Sequence, residues 1–438
     1  MNDIEARLPK RSRVFLRCEA DCPVSGSHQI QTDRIMKITL VQAHSSATIR
    51  TRSGVLTSWT ILIMLTAGAI CGGLLNLMWL SAIRNQAYNC ASSAALAAGH
   101  SYLSDDMLRS WQQPFEYEGR MARCQQSAVS MVEDYRAGTA IPAISSESVK
   151  VFWPEGQGPT KDPALLVPQA ISVQFEGAYF RSQFDRFFYG LTGSRSNPST
   201  VQSTVHLEHS PRAFRAGAGQ SIPILPFAIC DDLSGTDSGP AVQTPGYWTS
   251  SIESGKGQDI YSWNAATHEF ESGPDGLPEV TVTVYSTTSV GNPDSFIPIS
   301  FSSDKGNVGG GLIPEWIRNG LTGDDLQSMG YSELAFPGSV PVTTLTSQDL
   351  LNCRIALQEK SGEACLIPLC SALPAKTELT SITLKRPVAA RVVRVSQITS
   401  GSLKVILQPC VIATSTAVTS TPPDAAVNRY VYSVRLYH

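Results

Sequence analysis

Apolar residues run almost unbroken from Val55 to Ile83, and no charged residue falls between Arg52 and Arg84. A helix needs roughly 20 residues to cross a hydrocarbon core of about 30 Å, so this stretch predicts a membrane-spanning helix with some tilt or an interfacial end. Asn76 is the one strongly polar residue inside it. Each Leu, Ile, Val or Phe near the centre favours insertion by about 0.3–0.6 kcal/mol, and their sum outweighs one amide. The run from Ser81 to Gly99 then turns Ala-rich and holds no Pro, which predicts that the helix continues beyond the membrane and stops at Gly99. Within the span, Gly68, Gly72 and Asn76 recur every fourth residue and share one face. Small residues at that spacing admit a second helix closely and an amide can bond across the contact, although small residues are also common in membrane helices generally.

Further along, Met121, Cys124, Ala128, Val129, Met131, Val132 and Tyr135 form an apolar stripe opposite Arg123, Gln125, Gln126, Glu133 and Asp134, predicting a helix over 120–137 that folds back on the Ala-rich run. From about Ser145 the period changes from helical to alternating. Strands are predicted at 149–153, 170–175, 201–207, 222–230, 279–285, 381–384, 390–396, 404–407 and 430–436, with Pro/Gly-rich turns between them. The aromatic-rich 180–190 segment predicts a short helix, 314–320 a helical turn or two ended by Gly320, and 414–423 a Thr/Ser/Pro linker. The fold class is α+β: an N-terminal transmembrane helix continuing into a helical stalk, then a large β-rich extracytoplasmic domain. Its units are a basic tail (1–53), the span (54–83), the stalk (84–140) and the β-rich domain (141–438).

Charge sets the orientation. Up to Gly54 there are nine Lys/Arg and five Asp/Glu, a net of +4, and the remainder carries −7. Arg34, Lys37, Arg50 and Arg52 precede the span, whereas only Arg84 closely follows it. The positive-inside rule then puts the N-terminus in the cytoplasm and the large C-terminal part outside. The span is longer than a signal-peptide core and begins some fifty residues in, which favours an uncleaved anchor. Charged residues make up 16% of the chain, below the roughly 25% of typical soluble domains, and an acidic exterior part argues against nucleic-acid binding. Six of the ten cysteines, Cys124, Cys230, Cys353, Cys365, Cys370 and Cys410, lie well beyond the span. Such residues tend to pair in an oxidising compartment. Cys365 and Cys370 are close enough in sequence for a local bridge, with buried free thiols as the alternative.

Chemistry is sparse. No HExxH, GxSxG, Walker-type or GxGxxG motif occurs. Cys18 and Cys22 lack a second pair at zinc-site spacing. Asp232-Leu233-Ser234-Gly235-Thr236 follows a predicted strand, as in a metal-dependent adhesion site, but the residues after it show no helical period and an Asp/Ser turn accounts for them. His206 and His209 are separated by two residues, which on a strand puts them on opposite faces. No catalytic residue, metal site or cofactor is assigned.

One further pattern cuts across these readings. The span followed by Arg84-Asn85-Gln86 and the run Asn89 to Ala98 resembles the N-terminal segment of TadG-like proteins of the Flp (Tad) pilus-assembly systems, with Cys90 and Ser92-Ser93 where that pattern usually shows Ala and Asp. Leu225 to Ile229, Tyr261 to Thr267, Asp275 to Val280, Lys305 to Gly309, Ile317 to Leu321, Cys365 to Leu369, Val405 to Pro409 and Tyr430 to Ser433 are similar, in order, to the long-ectodomain variety of that family. The resemblance implies a bacterial single-pass inner-membrane protein that binds other pilus-assembly or envelope proteins and itself across helices, and performs no turnover. The competing classes are a membrane-tethered envelope hydrolase and a metal-dependent adhesion module.

Overall fold

In the computed structural model the described residues are 53–109, 117–136, 144–153, 167–178, 199–231, 247–286, 294–302, 312–371, 381–399, 401–419 and 428–437. The chain divides into two compact units, Met1–Leu65 and Thr66–His438. The first contributes the start of helix α1 (Ser53–Tyr102) and the second everything else described.

Helix α1 continues through Gly99 to Tyr102, three residues past the expected stop, with Leu103 N–H still donating to Gly99 O at 3.3 Å. Gly99 is a contact position. A Cβ there would press on Val434 Cγ1 at 3.2 Å and Val205 Cγ1 at 3.3 Å. From Ile83 onward one face of α1 is buried, with Ala87, Cys90, Ala91, Ala94, Ala95, Ala98 and Tyr102 fully enclosed. That three-and-four spacing is one helical face. The helix expected to form a neck with the 120–137 helix also packs on the body, because its methyl-lined face lies against the β-rich sheet. Helix α2 (Asp106–Arg109) and helix α3 (Tyr117–Arg136) follow. As the apolar stripe predicts, α3 runs back along α1: Ser127 donates to Ala97 O at 3.2 Å and Ser101 donates to Arg123 O at 3.3 Å.

The sheet beneath α1 has the order β1 (Val149–Phe152), β2 (Ala170–Ala178), β3 (Ser199–Glu208), β17 (Val431–Tyr437) and β15 (Ile412–Ala413). Its neighbours are antiparallel except β15 and β17. Ser92 of α1 meets Ser203 of β3 at 3.1 Å between hydroxyl oxygens, in a buried pair. A three-stranded sheet joins β10 (Leu334–Ala335), β4 (Pro211–Phe214) and β16 (Ala417–Thr419); β16 occupies part of the segment expected to be a linker.

The largest sheet runs β8 (Val280–Tyr285), β14 (Ser402–Pro409), β13 (Ser381–Thr399), β12 (Ala364–Cys370), β5 (Phe227–Cys230) and β9 (Phe296–Pro298), with β11 (Gly338–Pro341) also on β13. Strands β5 and β12 are parallel and buried along nearly their whole length, as strands covered on both faces are. Two expected strands, 381–384 and 390–396, join into the single β13. Pro387 interrupts the alternation without breaking the ladder because β11 ends at Leu384 and β14 begins at Ala390. Its missing N–H falls in the gap between them, where Asn428 donates to Pro387 O at 2.7 Å. The strand expected over 222–230 is shorter, since Ile222 and Ile224 make only single bridges to Leu321 and Leu366.

Three helices complete the body: α4 (Leu312–Asn319), α5 (Gly323–Ser328) and α6 (Ser347–Glu359). Gly320 ends α4 at φ +74°, a conformation that costs glycine little, and its N–H donates to Trp316 O at 2.9 Å. Helix α6 begins at a capping box in which Thr346 and Asp349 satisfy each other's backbone N–H. It buries Leu350, Cys353, Ala356 and Leu357. A hairpin of β6 (Tyr261–Asn264) and β7 (Glu269–Ser272) stands as its own two-stranded sheet. The 180–190 segment lies outside the described residues.

The turn after α1 is held to the large sheet by charge. Asp105 accepts from Val411 N–H at 2.7 Å and pairs with Arg391, whose guanidinium also lies 4.8 Å from the centre of the Trp263 ring. Arg109 bridges Asp106 at 3.0 Å and Asp275 at 3.2 Å. Asp105 and Arg391 are each under a fifth exposed, so removing one strands the other. Asp105→Ala is expected to cost about 3–5 kcal/mol and Gly99→Val about 1–3 kcal/mol through overpacking. Denaturant unfolding of the detergent-solubilised full chain checks both, with Gly68→Ala, which meets nothing within 4 Å, as the neutral comparison.

Candidate functional site

The N-terminal half of α1 presents a continuous apolar surface. From Thr57 to Ala82 its described side chains are exposed, apart from half-buried Gly72, Gly73 and Asn76. Ile61, Leu62, Ile63, Met64 and Leu65 follow one another and are each more than half exposed, so the helix is apolar all round. A helix of that kind is either enclosed in a core or embedded in lipid. Its most apolar 18-residue window has a mean hydropathy of 2.1 and none of it is buried, which removes the core alternative. This is a helix long and apolar enough to span a membrane.

Gly68, Gly72 and Asn76 lie within this surface. Gly68 is exposed, with nothing within 4 Å of the place a Cβ would take. The Asn76 carboxamide oxygen is shielded from solvent and has no hydrogen-bond partner. In lipid such an oxygen costs free energy until a donor reaches it. The three residues are thus on the apolar segment long enough to span a membrane, and no second helix covers them among the described residues.

Within the body, the most concentrated polar cluster lies at the C-terminal end of β5. Asp231 follows the strand directly and accepts from both the Thr249 N–H, at 2.9 Å, and the Thr249 hydroxyl, at 2.8 Å. Thr249 opens a π-helical turn, Thr249–Glu253, that brings Glu253 to the same place. Arg386 of β13 then bridges the two carboxylates, 2.8 Å from Glu253 and 3.2 Å from Asp231. Burial pushes the Arg386 guanidinium down, but hydrogen bonding and charge from Glu253, with Asp231, more than reverse this and raise it. Tyr430 donates to Glu253 at 3.3 Å and accepts from Trp248 Nε1 at 3.3 Å. Burial, followed by the Glu253 charge, pushes its phenol far up.

Each carboxylate in this cluster accepts from protein donors, and among the described residues no histidine reaches it. Sequence reasoning did not find it, because its members come from four separated stretches. Only Asp231, directly after a strand, carried any local signal.

Elsewhere, an open cleft of about 330 Å³ is lined by Tyr247, Lys256, Tyr261, Glu279, Lys404 and Ile406. The Glu279 carboxylate is tied to the N–H groups of Ile260 and Tyr261, each at 2.9 Å. Burial raises its pKa against those bonds. His206 stacks on Tyr437 with ring centres 5.0 Å apart, and His209, beyond the end of β3, meets Tyr432 edge-on at 6.4 Å. Burial lowers the His209 pKa. Among the described residues no group of three His, Cys, Asp or Glu side chains converges on a metal position. Asp232, Ser234, Cys18 and Cys22 lie outside the described residues.

No protein-family model, curated protein or solved structure matches this chain.

The local Cys365–Cys370 bridge is corrected by the fold. Both residues belong to strand β12, whose rise of about 3.3 Å per residue holds them about 16 Å apart. A disulfide needs Cα atoms within about 7 Å. Both are buried. Burial also pushes the Cys90 thiol up to about 11 and those of Cys124, Cys353 and Cys365 to about 12.

The Asp231 cluster therefore reads as a fastening between β5, β13 and the π-helical turn. Arg386→Gln is expected to lower stability by about 1–3 kcal/mol, discounted for the partial exposure of the arginine. Urea unfolding of the detergent-solubilised full chain checks it, and Arg386→Lys should recover only part because one ammonium cannot match the two-armed geometry.

Proposed function

We propose that this chain is a single-pass protein of a bacterial inner membrane, with a cytoplasmic N-terminus and a β-rich body outside, acting in assembly of a Flp/Tad-type pilus. It works through protein–protein contact and performs no turnover. The observation that carries the membrane part is the apolar Thr57–Ala82 segment, whose described side chains are exposed apart from half-buried Gly72, Gly73 and Asn76. Lipid covers it at a gain that water cannot match.

Two tryptophans support the placement. Trp59 and Trp79 are twenty residues apart, about 30 Å of helical rise. That matches the hydrocarbon thickness, with one indole at each interface. Orientation rests on Arg34, Lys37, Arg50 and Arg52 before the span against Arg84 after it. The pilus role rests on the ordered resemblance from Arg84 to Ser433, and the buried, internally satisfied polar clusters agree with a body that binds.

Gly68, Gly72 and Asn76 form the face on which a second membrane helix packs, from another envelope protein or another copy. The unpartnered Asn76 oxygen is then met by a donor on that helix. In a membrane association assay Asn76→Leu is expected to weaken association about 3- to 30-fold, and Gly72→Leu to weaken it by closing the approach; unchanged association in both would remove this face. Reporter fusions after Leu108 should be active only outside the cytoplasm, and activity inside would reverse the orientation. Deleting the gene should leave cells without Flp-type pili, and a normally piliated deletion strain would overturn the assembly role.

A further inference from the structure

Strands β5 and β12 are the one parallel pair in the large sheet, and their register sets Leu369 opposite Ile229 and Cys370 opposite Cys230. Each cysteine is the last residue of its strand. Directly opposed residues on neighbouring strands have Cα atoms about 4.8 Å apart, inside the range of 4.4–6.8 Å that disulfides span. The strand ends are also where the backbone yields. The ladder between β12 and β13 shifts register between Leu369 and Cys370, and regular pairing ends there with Asp231 N–H donating to Cys370 O at 3.0 Å and Ser371 N–H to Thr383 O at 3.1 Å.

We propose that Cys230 and Cys370 form a disulfide in the mature protein, closing β5 onto β12 at their C-terminal ends. The pairing rests on the reading that the body lies outside the cytoplasm, where thiols are oxidised.

Cys230 Sγ donates to Ser371 O at 3.9 Å, and the neighbouring Cys230 thiol, followed by burial, holds the Cys370 thiol far above its ordinary pKa. A thiol so held is a poor nucleophile, and both side chains are buried, so the bond forms while the sheet is assembling. In balance, the disulfide of an envelope thiol oxidase accepts two electrons and becomes a dithiol. The two cysteines lose two protons and two electrons, passing through a mixed disulfide.

Two other pairings among the buried cysteines are badly placed. Cys365 pairs with Ala390 of β13, which pairs with Pro409 of β14. Cys365 and Cys410 are therefore two strands apart, about 9–10 Å, beyond a bridge. Cys90 and Cys124 lie on helices aligned with Ala97 beside Ser127 and Ser101 beside Arg123. That alignment offsets them by about ten residues, or about 15 Å.

The full chain is to be taken from the membrane fraction without reductant, blocked with N-ethylmaleimide, digested with chymotrypsin to part Cys365 from Cys370, and read by mass spectrometry. A peptide joining Cys230 to Cys370 is expected in most molecules, with Cys353, Cys365 and Cys410 carrying the maleimide. In Cys230→Ala, Cys370 should change from linked to alkylated and the other sites should not change. Alkylated Cys230 and Cys370 in a chain whose body is cleaved by protease added to spheroplasts would overturn the disulfide and leave the export reading standing. A body protected from that protease would overturn the export reading. Refolding the full chain in detergent with mixed oxidised and reduced glutathione then decides the pairing by itself: the same linked peptide supports it, and two alkylated cysteines overturn it.

Discussion

One helix carries two different surfaces along its length, and that change governs how the rest of the chain packs. Up to Ala82 helix α1 shows leucine, isoleucine, methionine and tryptophan on every side. From Ile83 it shows alanine on one face only, and that face is enclosed by protein. The first half has nothing to gain from the body because its side chains are not against it. The second half has nothing to gain from lipid, since Arg84, Asn85 and Gln86 are exposed on its outer face. The boundary at Ile83 is therefore where cover by the protein's own body begins.

An alanine-lined helix buries little apolar area, at about 0.8 kcal/mol for each methyl-sized group. Its hold on the sheet depends on how closely it can approach. Gly99, with Val434 and Val205 near where its Cβ would be, shows how little room is left. Tight but featureless packing leaves sliding along the helix axis weakly opposed, so polar contacts set the register. Ser92 meets Ser203 in the middle of the contact, and Asp105 takes both Val411 N–H and Arg391 just beyond its end. Buried groups of this kind are costly when unpaired, and a slip by one helical turn would unpair all of them together.

Much of this was legible in sequence because it depends on local period. The span, the Ala-rich continuation, the α3 stripe and most strands of the outer sheets follow from alternation and from 3.6-residue spacing. Helix α6 was missed although its signals were present: Thr346 and Asp349 at capping-box spacing, then Leu350, Cys353, Ala356 and Leu357 on one face. The Pro387 interruption hid the continuity of β13 because a proline rules out a strand only where its N–H is needed, and that depends on where β11 and β14 end. The Asp231, Thr249, Glu253, Arg386 and Tyr430 cluster has no local period at all. Strand order brings its members together, and so does the register that sets Cys370 opposite Cys230.

The same reasoning bears on why acids in the body are so consistently tied down. Asp259 takes the N–H groups of Asp275 and Gly276; Asp275 takes those of Trp263 and Leu277; Glu279 takes those of Ile260 and Tyr261. Burial raises the pKa of Asp275 and of Glu279, while backbone donors, and Arg109 for Asp275, pull the other way. A carboxylate with both oxygens given to backbone donors has little left for a substrate or a metal ion. It does something else well: it closes a loop that lacks regular hydrogen bonds, so that the β6–β7 hairpin is carried on a fixed base. Acids arranged in this way stiffen the surface that they underlie.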